Sequence, residues 1–457
     1  MQQLAGRRAT LLALDGDDQR TPDERLADQV TPLWRKPYDM QLQKKQTEVM
    51  HVMRDLTGAL GLHRGRRQLR YLEGAMVAYA GAPCPVGTIV PAPQPNGYRN
   101  KCEFTFGVDV NGELTVGFLC GLFKEGHTAV LGPDACLHVS DAAKHVARAL
   151  QAYARDSGLP AYDRHTKTGF WRLAVVRTNE TGEIQVIVQA NGGATTASRL
   201  AAVTEGLVPF WAETAATIHR AAAAGAGADT DTDAPASTPA PATSLLFQDW
   251  RGDFNGFPGT VSAPVTVLSG LPYITERLLG LDFRISPGAF FQVNTPATIG
   301  LYTYLREAVL AAFAAAAPSD ASAPRPPSLV LDLCCGTGTI GLAIAPAVTH
   351  VIGVEMVPAA VDDAKANAAA QGQTNIEFIC SKVEDAMDQV VARGSAIITS
   401  IIYVACNAKA VVSSDWMTLC SPTSKKLSGR PFRPVRAQPF DLFPHTPHYE
   451  LVVEFTR

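Results

Sequence analysis

None of the nine cysteines in this 457-residue chain (Cys84, Cys102, Cys120, Cys136, Cys334, Cys335, Cys380, Cys406 and Cys420) belongs to a C-x-x-C pair. An odd set without that spacing excludes a disulfide framework and gives no zinc or iron–sulfur cage, so reduced thiols inside a cell are expected. No run of about 18 apolar residues occurs, which argues against a membrane span. The N-terminus has no apolar signal core, and Asp15, Asp17 and Asp18 interrupt its early arginines, so neither a secretory signal nor a transit peptide is expected. Charge of either sign is not in excess: 40 Lys+Arg against 43 Asp+Glu give a formal net charge of -3. That balance excludes attraction of the whole molecule to nucleic acid, so any RNA contact must be regional. The length is too great for one ordinary core, and two or three domains are expected.

The most informative stretch runs from Ser328 to Ala345, SLVLDLCCGTGTIGLAIA, and reads as strand, tight turn and helix. Gly336, Gly338 and Gly341 stand in G-x-G-x-x-G spacing, which lets the backbone turn sharply, lets a ligand approach it, and opens a helix at its positive end. A nicotinamide cofactor, a flavin and a methyl donor all suit such a turn. Asp332, at the end of the strand, would repel a pyrophosphate and welcome a cation, which disfavours a nicotinamide-dependent oxidoreductase. S-adenosylmethionine carries an ammonium and a sulfonium, and Glu355, after the strand Val351 to Val354, is placed to accept ribose hydroxyls. The plainer alternative is a doubly wound turn whose acids are merely solvated.

Around this stretch the chain divides by composition. Residues 1–31 are polar, mixed in charge and expected to be disordered. Tyr38 to Leu62, rich in Gln and Lys, places Leu42, Val49, Met50, Met53, Leu56 and Leu60 at helical spacing, so an amphipathic helix is predicted. The basic cluster His63 to Arg70 is either a solvated helix end or a phosphate-contacting patch. Asn111-Gly112 predicts a hairpin within Cys102 to Cys120. A helix is predicted from a Ser140 or Asp141 cap to about Arg155, and a second hairpin from Trp171 to Gln189. These elements predict an α+β RNA-binding or accessory domain over 32–282, with a low-complexity insertion at 221–243. A helix from Thr298 to Ala314 and a linker at 315–327 precede the glycine-rich turn, in a second domain over 283–457.

Five ordered motifs then carry a resemblance: Asn100-Lys101-Cys102-Glu103-Phe104, Phe283 to Thr295, the Asp332 to Gly341 loop, Tyr403-Val404-Ala405-Cys406-Asn407, and Asp441 to Glu450. Together, from about Pro32 to Arg457, the chain resembles the RNA uracil-5-methyltransferases, with most likeness to the eukaryotic-type tRNA (uracil-5-)-methyltransferase branch. The resemblance implies an α/β, Rossmann-like S-adenosylmethionine-dependent methyltransferase domain behind an N-terminal α+β domain. It implies tRNA as partner, a T-loop uridine as target, S-adenosylmethionine as cofactor and no metal. Cys406 matches the family's nucleophile, and Glu450 its general base. Gln292, Cys334 and Thr339 match donor-binding residues beside Asp332, Gly336 and Gly338, and Glu355 matches the ribose acid. Taken alone, Cys406 reads as a small core residue and Glu450 as a solvated strand-end acid. His445 and His448 form an i, i+3 pair at which no metal is expected. A monomer working in the cytoplasm or nucleus is the expectation.

The pattern breaks in one place. Family members carry a strand ending in Asp-Pro-Pro-Arg before the cysteine strand, and here only Gly394 to Ser400 separates Arg393 from it. One strand–helix unit of the catalytic sheet is therefore expected to be missing, which would leave backbone groups unpaired and predicts weak or no methyl transfer. The alternative is a catalytically inactive RNA-binding or tRNA-folding protein on the same scaffold.

Overall fold

Alternation and turn chemistry account for the first elements. The computed structural model describes residues 19–62, 66–121, 129–225, 241–315, 328–394, 398–421 and 430–457, with no side chain described over 62–71. The expectations for residues 1–18, the basic cluster's side chains, 226–240 of the insertion and 316–327 of the linker lie outside them. Pro22–Val30 (α1) is helical where disorder was expected, because Thr21 and Glu24 form a capping box and Leu26 and Ala27 are buried. The predicted helix follows at Tyr38–Leu62 (α2), then Arg66–Ala78 (α3).

The described chain divides into two compact units, Met1–Pro32 with Asn96–Val293, and Leu33–Pro95 with Asn294–Arg457. The sequence reading had kept 32–282 together, whereas here Leu33–Pro95 groups with the C-terminal residues.

In the first unit, Lys101–Val108 (β1) and Leu114–Leu119 (β2) form the Asn111-Gly112 hairpin, with Gly112 at φ 84° as the turn requires. Val130–Leu131 (β3), Trp171–Thr178 (β4), Ile184–Ala190 (β5), Thr243–Asp249 (β6) and Thr266–Ser269 (β7) complete a seven-stranded sheet of order β3-β2-β1-β4-β5-β6-β7. Among the described residues of this sheet only the β5–β6 pair is parallel, and the long helix Ala197–Gly225 (α5) lies between those two strands in sequence. Asp141–Asp156 (α4), capped by Ser140 Oγ on the Ala143 amide, packs with α5 on one face through Val146, Leu150, Leu207 and Trp211. Phe106 stacks on Trp171 in that core, with ring centroids 5.4 Å apart. A separate hairpin, Ile274–Leu278 (β8) and Leu281–Ile285 (β9), leads to the segment that carries Gln292.

The second unit holds two sheets. Thr295–Ala315 (α6) precedes a parallel sheet of Leu329–Leu333 (β10), His350–Glu355 (β11) and Ile376–Cys380 (β12), ordered β10-β11-β12. Helices Thr339–Ile344 (α7), Pro358–Ala370 (α8) and Val383–Gly394 (α9) follow these strands in turn, the alternation expected of a doubly wound fold. Ser400–Ala405 (β13), Arg433–Phe440 (β14) and Glu450–Thr456 (β15) make an antiparallel sheet of order β13-β15-β14. One of its faces buries Leu451, Val453 and Phe455 against Val49, Val52, Met53 and Leu56 of α2. α6 packs against both α7 and β13, bridging the two sheets. Among the described residues, β10 and β13 each pair with a strand on one side only. No described helix is long and apolar enough to cross a membrane.

Candidate active site

The glycine-rich turn is built as its spacing predicts. Beyond β10 the chain takes left-handed conformations at Cys334 (φ 61°), Gly336 (φ 56°) and Gly338 (φ 77°), and α7 starts at Thr339. A Cβ on Gly338 would lie 2.8 Å from the Phe378 ring, so both conformation and space call for glycine there. The two carboxylates are tied to the turn. Asp332 Oδ2 accepts the Gly341 amide at 2.8 Å, and Glu355 Oε2 accepts the Gly336 amide at 3.1 Å while its Oε1 accepts the Val357 amide at 2.9 Å. Burial pushes Asp332 up to about 6, opposed by the Gly341 amide and assisted by the charge of Glu355. Cys334 is exposed at the lip of the turn, and burial together with Glu355, Asp332 and Glu384 raises its thiol above the ordinary range.

Cys406 and Glu450 come together through strand register. Ala405 pairs with Leu451, and the next residue on each strand is Cys406 on one and Glu450 on the other. Cys406 is exposed at the end of β13. Glu450 is only 4% exposed and is pushed up to about 7 by burial alone. It alternates with Leu451, so it lies on the sheet face opposite the α2 core, the face on which Glu454 accepts the Tyr304 hydroxyl of α6.

Tyr302, also on α6, was read from the sequence only as part of a packing helix. It is buried, its hydroxyl lies 3.0 Å from Thr339 Oγ1, and Asp332 and Glu450 are its two charged neighbours. It therefore touches the start of α7 through Thr339 and feels the charge of Glu450. Tyr403 of β13 has both Cys334 and Cys406 as electrostatic neighbours. Nothing in the spacing marks either tyrosine.

Asp332, Cys334, Gly336, Gly338, Thr339, Glu355, Cys406 and Glu450 thus all lie in the second unit. Gln292 lies in the first, where its carbonyl accepts Asn100 Nδ2 at 3.0 Å. His445 is buried with Nδ1 3.1 Å from Gln41 Nε2, while His448 is exposed. Among the described residues, no three His, Cys, Asp or Glu side chains are grouped to hold a metal ion.

The geometry suits a small cationic nucleoside. Two glycines with positive φ leave the turn open to close approach, and carboxylates end the two adjoining strands.

Comparison with known proteins supports the fold and gives the family. A sequence family described as "Methyltransferase domain" matches residues 327–413. The crystal structure of Pyrococcus abyssi tRNA (uracil-54, C5)-methyltransferase in complex with S-adenosyl-L-homocysteine superposes with a TM-score of 0.56 at 17% identity, over 93% of this chain and 85% of that one, a likeness of fold. The tRNA (uracil-5-)-methyltransferase homolog A of Homo sapiens is 37% identical over 95% of this chain and 68% of its own. Homolog A of Mus musculus is 35% identical over 97% and 70%. Homolog B of Mus musculus is 31% identical over 95% and 86%. With identity above 30% sustained over more than two thirds of both partners, this chain belongs to the tRNA (uracil-5-)-methyltransferase family.

Proposed function

We propose that this protein methylates C5 of a uridine in tRNA, the T-loop uridine implied by its sequence motifs, using S-adenosylmethionine and no metal. The observation that carries the reading is the strand register, Ala405 on Leu451, which sets Cys406 and Glu450 across from each other. Uracil C5 is a poor nucleophile. The Cys406 thiolate adds to C6, and the C5=C6 electron pair becomes available at C5. S-adenosylmethionine would be held by Asp332, Cys334, Gly336, Gly338, Thr339 and Glu355 and would supply an electrophilic methyl group on its sulfonium, leaving as S-adenosylhomocysteine. Glu450 then takes the C5 proton, the double bond re-forms, and the Cys406 thiolate leaves. A carboxyl raised to about 7 is a better base than an ordinary carboxylate, while still half ionised near neutrality. A loop uridine can reach such a pocket by leaving its stack, at low cost in a single-stranded segment.

The rate of this chain is proposed to be low. β10 and β13 are edge strands among the described residues, in line with a catalytic sheet that lacks the strand joining them, so the two sheets are joined through α6 rather than by a ladder of backbone hydrogen bonds. Radiolabelled methyl transfer to unmodified tRNA tests both statements. Slow turnover that disappears in Cys406→Ala is expected. Turnover indifferent to Cys406 overturns the mechanism, and a rate equal to that of the mouse homolog A overturns the impairment. Retained tRNA binding with no transfer at all would favour the second reading, an RNA-binding or tRNA-folding protein, to which the divided sheet also lends support.

A further inference from the structure

Lys45 and Asp441 are fully buried, 1% and 0% exposed, with Nζ 2.6 Å from Oδ1. Such a pair is tolerated only when further hydrogen bonds satisfy both ions. Those bonds all run to one segment. Lys45 Nζ also donates to the Phe443 carbonyl at 3.0 Å, Asp441 Oδ1 accepts the Phe443 amide at 3.0 Å, and Oδ2 accepts the Tyr38 hydroxyl at 3.1 Å. One turn earlier on α2, Gln41 Oε1 accepts the His445 amide at 2.7 Å. Tyr38, Gln41 and Lys45 follow the i, i+3, i+7 rhythm of a single helix face, the one that Val49, Val52 and Leu56 continue further along α2. The grip holds His445 at φ 67°, a conformation that a residue with a Cβ avoids.

The connection 441–449 closes the β14–β15 hairpin, in which Phe440 pairs with Glu450, the first residue of β15. A strand's first residue is the one most open to fraying, and burial is the only cause that raises the Glu450 carboxyl.

We propose that Lys45 is a positioning residue for Glu450: through Asp441 and Phe443 it fixes the connection 441–449 and thereby holds the base in its dry place at the head of β15. The inference rests on Glu450 acting as the base. That reading fails separately, by turnover that survives Glu450→Gln, because the brace is read without turnover.

The test uses the full chain and two measurements. In Lys45→Met, hydrogen exchange of peptides covering 441–450 is expected to rise about tenfold or more, while peptides from β10 and β11 keep their protection. The infrared band of the protonated Glu450 carboxyl, identified by its loss in Glu450→Gln, should titrate near 7 in the unchanged chain and at a lower pH in Lys45→Met. A merely structural role would raise exchange everywhere and leave that midpoint in place, and this result overturns the proposal. Should Lys45→Met not fold, the double variant Lys45→Met/Asp441→Leu removes both charges and restores a foldable core. Full protection of 441–450 in that folded variant would equally overturn it.

Discussion

Between Asp332 and Gly341 the restraints come from nearby chain: the Asp332 carboxylate holds an amide nine residues on, and Glu355 one that lies 19 residues before it. Between Asp441 and Glu450 they come from α2, with Lys45 reaching across 396 residues of sequence. Both segments aim polar groups at one site, yet the first is set by backbone conformation and the second by side chains of a distant helix. A locally closed turn survives the loss of any one tie, whereas a loop gripped from outside depends on its grip.

The sharpest way to test this contrast is at the reactive carboxyl itself. Glu450→Gln should lower methyl transfer by about 10²–10⁴-fold, the usual range for losing a positioned base. In the unchanged chain, turnover should climb as pH rises through about 7. Stability should move the opposite way. The folded carboxyl binds its proton more tightly than the ordinary value of 4.5, so its contribution is complete below that pH and is lost as pH rises through about 7. The loss is on the order of 3 kcal/mol. Urea unfolding should therefore find Glu450→Gln the more stable protein at pH 8.5 and no difference near pH 4; equal stability at both would contradict a buried Glu450.

Next in size is Gly338→Ala, which attacks the locally closed turn where conformation and space both resist a side chain. A cost of about 3 kcal/mol is expected, with binding of S-adenosylhomocysteine weakened about tenfold or more by calorimetry. Unchanged binding would mean that the turn is as adaptable as a surface loop. The smallest effect belongs to Tyr302→Phe, which removes the hydroxyl that lies 3.0 Å from Thr339 Oγ1. Loss of about 1 kcal/mol, roughly fivefold in S-adenosylhomocysteine affinity, is expected, and less effect in a Thr339→Val background, because the two hydroxyls share one bond.

Legibility followed the same division. The Asn111-Gly112 hairpin, the Ser140 cap and the helix Tyr38–Leu62 could be read because their causes are local: turn dihedrals, a capping oxygen and helical periodicity. The glycine-rich turn could be read for the same reason. Grouping Leu33–Pro95 with the C-terminal unit could not, because an amphipathic helix announces that it has an apolar face and not which sheet will cover it. Gln41 and Lys45 pointed the wrong way, since polar residues on such a helix are ordinarily solvated and these are 0% and 1% exposed. Tyr302 was hidden by being aromatic on a buried helix face, where packing is the ordinary explanation.

The position of α2 also bears on how the protein is made. Its apolar face, Val49, Val52, Met53 and Leu56, leaves the ribosome long before Leu451, Val453 and Phe455, which cover it. At about 5–20 residues per second, the 396 residues between Lys45 and Asp441 take roughly 20–80 s to emerge. For that interval the first unit can complete its seven-stranded sheet while the helix that precedes it waits with its greasy side uncovered. The helix that steadies the base is thus the part of the nascent chain most in need of a chaperone.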